Sequence, residues 1–208
     1  MFKSLLRRLK PLPRVVIETE RFTLRGISRD WLGRHSFHWA ENEAFLDGLG
    51  WPPGPYTRRQ WTRRFTRSDN RKIYHFAIFP RGSDRLIGSH GIFFNEPGSA
   101  LLYVAIGDME WWGKGVVQEV RAALLDFVFD VAGGDRAYGQ VHGRNAASIY
   151  NYQRLGFRHE GTMRQHRLLP RSQERTDLLI FGLLKEEWLE RRTLREKRGN
   201  PPEPAIPG

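Results

Sequence analysis

Two short strings in this chain hold residues whose types and spacing could do chemistry. The first is Ile106-Gly-Asp-Met-Glu110-Trp-Trp112-Gly113-Lys114-Gly115-Val116-Val117, where a strand-like apolar run gives way to a helix-periodic one. Glycine lets the backbone turn sharply and lets a ligand approach its N–H groups. The free amides and dipole at a helix start favour a phosphate. A plain tight turn explains the two glycines equally well. The string is not a P-loop, because no Ser or Thr follows a Gly-Lys pair, and it lacks the third glycine and βαβ setting of a dinucleotide fingerprint. The second string is Asn145-Ala-Ala-Ser148-Ile-Tyr150-Asn151-Tyr152-Gln-Arg-Leu155-Gly156-Phe157. As structure alone, Asn145 is an N-cap, Gly156 ends a helix, and Leu155 and Phe157 are core. That reading explains each residue but not the whole string. The chain has no cysteine, so a thiol nucleophile, a thiolate metal site and a disulfide framework are all excluded.

The elements that must position these strings follow from periodicity. Alternation predicts strands at Arg21–Arg25, Ile73–Phe79, Leu86–Phe94, Leu101–Ile106 and Ala137–Val141, and near 158–168 and 176–184. Pro80-Arg-Gly-Ser-Asp84 reads as a hairpin turn and Trp51-Pro-Pro-Gly-Pro55 as a loop. Ser28 and Asp30 can start one helix, and Thr57 can cap a basic helix running to about Arg67. Val117, Val120, Leu124, Phe127, Val128 and Val131 share one face of a helix over 116–131, and Ala146–Leu155 forms another. The mixture implies an α+β domain with a mostly antiparallel sheet and a central β-α-β-α run.

Composition bounds the rest. With 208 residues, 39% hydrophobic and 12% aromatic, the chain can bury a core and is too apolar to be disordered. No apolar run approaches the roughly 20 residues of a membrane span, and Met1–Leu12 does not read as a secretory signal, so a soluble cytoplasmic protein is expected. The formal charge of +11 is not uniform. Residues 1–14 hold five bases and no acid, and residues 58–72 hold seven bases against Asp69 alone. Such patches suit a polyanion, a phosphate-bearing substrate, or simply a solvated helix face. Residues 1–14 are expected to form a basic arm, with Phe2, Leu5, Leu6 and Leu9 at helical spacing. Residues 15–190 form the folded domain, and 191–208 a polar, flexible tail.

Together the two strings resemble the GCN5-related N-acetyltransferase (GNAT) superfamily. The first is similar to its (Gln/Arg)-x-x-Gly-x-(Gly/Ala) motif, with Gly113 and Gly115 as the glycines. The second is similar to its Asn-x-x-Ser…Tyr-x-x-Leu-Gly-Phe motif. Thr19-Glu-Arg21-Phe-Thr-Leu-Arg25 with Asp30, Leu86-Ile-Gly88, and Glu160-Gly161…Asp177-Leu…Leu183-Leu184…Glu187-Trp188 resemble the ribosomal-protein-alanine (Rim-type) branch. The likeness spans about residues 17–189. Glu110 departs from it, because an acid stands where the family has Gln or Arg.

The resemblance implies a GNAT fold. Its twisted sheet has six to seven strands, with helices on both faces and two central parallel strands that splay apart. It also implies direct transfer from acetyl-CoA, without a metal, to a primary amine on a protein N-terminus or small molecule. The basic helix hints at an acidic or phosphate-bearing acceptor. The implied cofactor contacts are Val104 and Ile106 on the splayed strand and Trp112, Gly113, Lys114, Gly115, Val116 and Val117 at the helix start. Asn145, Asn151 and Tyr152 complete them. Tyr152 is the implied acid for the leaving thiolate, with Ser148 as its alternative, and the base is left open among Glu110, Asp108, His142, His90 and a water chain. Asp108, His90 and His142, near strand ends, and Arg58 and Arg59, on the basic helix, are candidate acceptor contacts. A monomer or homodimer is expected. The competing expectation is a non-catalytic module of this fold, or a basic RNA- or ribosome-associated protein.

Overall fold

The computed structural model describes residues 15–65 and 67–197. The readings placed on 1–14 and on 198–208 lie outside the described residues. Eight strands form one sheet: β1 (Val16–Glu18), β2 (Phe22–Gly26), β3 (Ile73–Pro80), β4 (Gly88–Glu96), β5 (Ser99–Ile106), β6 (Arg136–His142), β7 (Arg158–Leu168) and β8 (Arg175–Leu184). Their order is β1-β2-β3-β4-β5-β6-β8-β7, antiparallel throughout except at β5–β6. All seven expected strands are present. The eighth, β1, is three residues long and paired only to β2, too short to give a period.

Six α-helices cover the sheet: α1 (Arg29–His35), α2 (Glu43–Gly48), α3 (Arg58–Arg63), α4 (Val116–Asp126), α5 (Ala146–Arg154) and α6 (Lys185–Lys197). Strand alternation sorts two apolar cores to the two faces. Phe22, Phe76, Ile92 and Leu102 pack with Val120, Leu124, Tyr152 and Trp188, so α4, α5 and α6 cover one face. Ala105 packs with Leu32, Trp39, Phe45 and Trp61, so α1–α3 cover the other. The expected basic helix is shorter than its pattern. Thr57 caps it with a reciprocal Gln60 bond, but it ends at Arg63, where Arg64 and Phe65 turn through three-residue bonds. The helix expected over 116–131 is α only to Asp126 and continues as a π turn, Phe127–Val131. Helix α6 runs past the expected boundary at 190, with Trp188 buried against Asp126 through a 2.8 Å bond.

The feature that makes a site is the β5–β6 junction. These strands pair only at Ser99–Arg136, Ala100–Ala137 and Leu101–Tyr138. Beyond that point β5 stays with β4 and β6 stays with β8, leaving a wedge between them.

Candidate functional site

The wedge opens into a cavity of about 390 Å³. Val104 and Ile106 form one wall, Trp112, Gly113, Gly115, Val116 and Val117 a second, and Asn145, Ser148 and Asn151 a third. Ten residues expected at the cofactor or catalytic site therefore meet around one space. Phe45, Gly48 and Leu49 from the end of α2 cover it. No carboxylate or imidazole is among its lining residues.

Gly113 and Gly115 adopt φ of 74° and 72°, conformations that cost a side chain about 1–2 kcal/mol. They turn the loop so that α4 starts with its amides aimed at the cavity. Among the described residues, none accepts from the N–H groups of Gly113, Gly115, Val116, Val117 or Gln118. Gly115 offers no side-chain cap either. Five donors beside a positive dipole end form a site that a diphosphate fits.

The loop is braced from the turn between β1 and β2. Arg21 pairs with Glu119 at 2.6 Å and donates to the Lys114 carbonyl at 3.0 Å, while Thr19 Oγ1 donates to Glu119 at 2.7 Å. The Thr19-Glu-Arg21 string thus supports the glycine loop from a turn distant in the chain. Glu119 gave no signal in the sequence, because its partners lie about a hundred positions away. Lys114 does not line the cavity; its Nζ sits over the Trp111 ring at 5.7 Å. Gln118, also missed, donates to Asn151 Oδ1 at 2.7 Å and ties α4 to α5.

Backbone alternation fixes which amides face the wedge. The Leu102 carbonyl accepts from Tyr152 Oη at 3.2 Å and the Ile106 carbonyl from Trp112 Nε1 at 2.8 Å, so both point to the β6 side. Residues two apart share an edge, which directs the Val104 N–H into the gap as well.

Tyr152 is buried and does not line the cavity. Its ring stacks on Phe181 and meets Phe157 edge-on. Its hydroxyl reaches the apex of the wedge, one residue beyond the last paired Leu101. Gly139 makes that reach possible: a Cβ there would fall 1.9 Å from Oη. Under the ring lies the Arg121 guanidinium, 4.2 Å from the centroid, fully buried, with Nε and Nη1 lacking hydrogen-bond partners. Burial lowers the Arg121 pKa from its ordinary value. Ser148, by contrast, lines the cavity directly.

The remaining candidates are placed elsewhere. His90 points to the α4 core and is wholly buried; burial first, and the Arg121 cation second, hold its pKa well below the usual imidazole value. Its alternation phase along β4 decides this. Asp108 and Glu110 both pair with Arg85, at 2.6 and 2.8 Å, in a separate hollow lined also by His35 and His38. Those bonds, Glu110 first, raise the Arg85 pKa. Glu110 therefore does not stand at the cavity as a base. His142 Nε2 lies 3.1 Å from the Gly48 carbonyl, and Asn145 Nδ2 donates to the same oxygen at 3.0 Å. These two residues clamp α2 over the cavity, while Asn145 Oδ1 also caps α5. Arg58 and Arg59 face a different surface, between α1 and α3.

A wedge between parallel strands with a phosphate-ready helix start at its side defines the site. Residues 21–158 match the family described as Acetyltransferase (GNAT) domain, and the chain belongs to that family. It is similar to the probable N-acetyltransferase YjcK of Bacillus subtilis, 29% identical over 150 residues that cover 71% of this chain and 78% of that protein. The fold is similar to a GCN5-related N-acetyltransferase from Brucella melitensis, with a TM-score of 0.71 at 22% identity, covering 90% of this chain and 86% of that one. It is also similar to a spermidine N-acetyltransferase from Vibrio cholerae in complex with CoA and spermine, with a TM-score of 0.68 at 18% identity, covering 81% and 98%. The protein is accordingly an acyltransferase.

Proposed function

We propose that this protein is an acetyl-CoA-dependent N-acetyltransferase that acetylates a primary amine directly, on a protein N-terminus or a small molecule. One observation carries the reading: the free amides of the Gly113–Val117 turn and the unpaired edge of β5 open onto the same cavity. Acetyl-CoA would supply the acetyl group as a thioester. The amides of Gly113, Gly115, Val116 and Val117 bind the pyrophosphate, and Asn145 and Asn151 shape the groove for the pantetheine arm. The Val104 N–H, aimed into the wedge, stabilises the oxyanion that develops as the amine adds. Tyr152 Oη, held against the Leu102 carbonyl on the same side of β5, delivers a proton to the departing sulfur, with Ser148 as the alternative donor. The cavity offers no acidic side chain as base, so the amine proton leaves through water. A cytoplasmic setting, a monomer or homodimer, and the Rim-type branch belong to the same proposal. Among the described residues, no helix is long and apolar enough to cross a membrane.

The experiment is thiol release from acetyl-CoA over a panel of amines and peptides. Amine-dependent release, with the acetyl group recovered on nitrogen by mass spectrometry, is expected. Absence of turnover with every amine, despite acetyl-CoA binding, would favour a non-catalytic member of the fold.

A further inference from the structure

The α1–α3 surface carries a charge arrangement that the acetyl-transfer reading does not use. A hollow of about 680 Å³ lies between the two helices and shares no lining residue with the catalytic cavity. Arg29 and Arg34 come from α1, Arg58, Arg59 and Arg63 from α3, and Arg67 from the following loop. One acid, Asp30, is present, and it pairs with Arg29 at 3.3 Å. Arg58 sits over the Phe37 ring at 5.1 Å. Arg34, Arg59, Arg63 and Arg67 are exposed and, among the described residues, have no acidic partner.

These guanidinium groups stand on a rigid platform. A Cβ on Gly33 would fall 2.8 Å from the Thr62 Cα, so α1 and α3 touch backbone to backbone at the floor of the hollow. Trp61 is fully buried and its Nε1 donates to Ser36 Oγ at 2.9 Å, and the Thr57–Gln60 box fixes the start of α3. Some of the charges are also placed against local stability. Arg58 and Arg59 occupy the first turn of α3, where the helix dipole disfavours cations, with no acid among them. Arg59 and Arg63 are like charges four apart on one helix face. A merely solvated face would gain from alternating signs. Local rules broken in one place, on a well-packed scaffold, mark function.

The chemistry selects the ligand. Arginine forks match phosphate oxygens in pairs. A protein partner needs an apolar anchor at the centre of its interface. Among the described residues, every exposed large apolar side chain, Met109, Trp112, Tyr150 and Met163 included, lies outside this hollow. A small phosphate ligand would need enclosing polar groups, whereas five of these six arginines stand open to solvent. We infer that the α1–α3 face binds the phosphate backbone of a nucleic acid, independently of the acetyl-transfer cavity and without reading sequence.

The test uses the full chain, a labelled oligouridylate and a labelled DNA duplex, followed by anisotropy at several salt concentrations. Four phosphate contacts predict a log–log salt slope of about −3 on the single strand, a loss of roughly fiftyfold between about 50 and 200 mM salt. The triple variant Arg34→Gln/Arg63→Gln/Arg67→Gln should lose at least about tenfold in affinity at low salt, with a slope shallower by about 2. Its melting temperature should stay close to that of the wild type, since the like-charge repulsion removed is offset by the favourable helix-dipole placement lost at Arg34 and Arg63, in the last turns of α1 and α3. Equal binding of both nucleic acids assigns a shared backbone chemistry, and a preference for the oligouridylate assigns the single strand. Saturating CoA should leave RNA binding unchanged. Four results would overturn the inference: no binding of either nucleic acid at low salt, an unchanged slope in the triple variant, displacement of RNA by CoA, or displacement by polyglutamate as effective as by unlabelled RNA. Because CoA binding is read separately, failure here leaves the acetyltransferase reading standing.

Discussion

At the scale of single residues, the wedge apex separates two proton donors that the sequence left open. Tyr152 places its hydroxyl against the Leu102 carbonyl at the fork, in space that Gly139 leaves free, while Ser148 stands in the cavity wall. Tyr152→Phe is expected to lower kcat by about 100-fold, the lower end of what a positioned acid contributes, with little change in the Kd for CoA. Ser148→Ala should change kcat by less than about threefold on the same scale. Steady-state kinetics with CoA titration decides between them, and the reverse ranking would make Ser148 the donor. His90 gives a stability signature. Its folded-state pKa is depressed, so the unfolded chain takes up a proton that the native chain refuses. Stability is therefore full above the ordinary imidazole range and lost as pH falls through and below about 6.5, by at most about 1.4 kcal/mol per pH unit. Melting curves from pH 7.5 to 5 should show this limb, and His90→Leu should flatten it.

At the scale of elements, the glycine loop is held as much by the β1–β2 turn as by its own turn. Glu119, with its side chain mostly buried, gathers Thr19 Oγ1, the Arg21 backbone N–H and the Arg21 guanidinium. Removing an acceptor of charged hydrogen bonds costs about 1.5–3 kcal/mol. Glu119→Ala should therefore lower the melting temperature and raise the KM for acetyl-CoA severalfold, with the amine KM unchanged. Equal effects on both substrates would mean that the brace does not act on the phosphate turn. The elements were mostly legible. Alternation marked seven strands because one face of each is apolar, and Ser28, Thr57 and Asn145 announced three helix starts through capping chemistry. The unread parts have physical causes. Strand β1 is too short to show an alternation, and α3 tightens into three-residue bonds at Arg64 and Phe65 beneath a run of arginines that continues without a break signal. The π turn after Asp126 shifts the helix face, burying Phe129 and turning Val131 out to solvent, so a 3.6-residue pattern that put Val131 in the core could not reveal it.

At the scale of the whole molecule, cofactor binding should couple to folding. Acetyl-CoA at 100 times its Kd adds about 2.7 kcal/mol, which for a chain of this size raises the melting temperature by about 5–10 °C. Thermal scanning at rising acetyl-CoA checks this, and no shift at millimolar ligand would sink the enzyme reading. The sequence by itself determined the elements, the glycine turn and the family, because capping, periodicity and positive-φ glycines are local properties. It also located the charge excess on residues 58–72. Only the tertiary structure decided which candidates share a site. Strand phase sent His90 into the core, Arg85 claimed Asp108 and Glu110, and α2 claimed His142. The same packing turned Arg58 and Arg59 toward α1 instead of the cavity, since a buried Trp61 fixes which side of α3 faces out. Side-chain direction and pairing depend on partners remote in the chain, and folding alone brings those partners together.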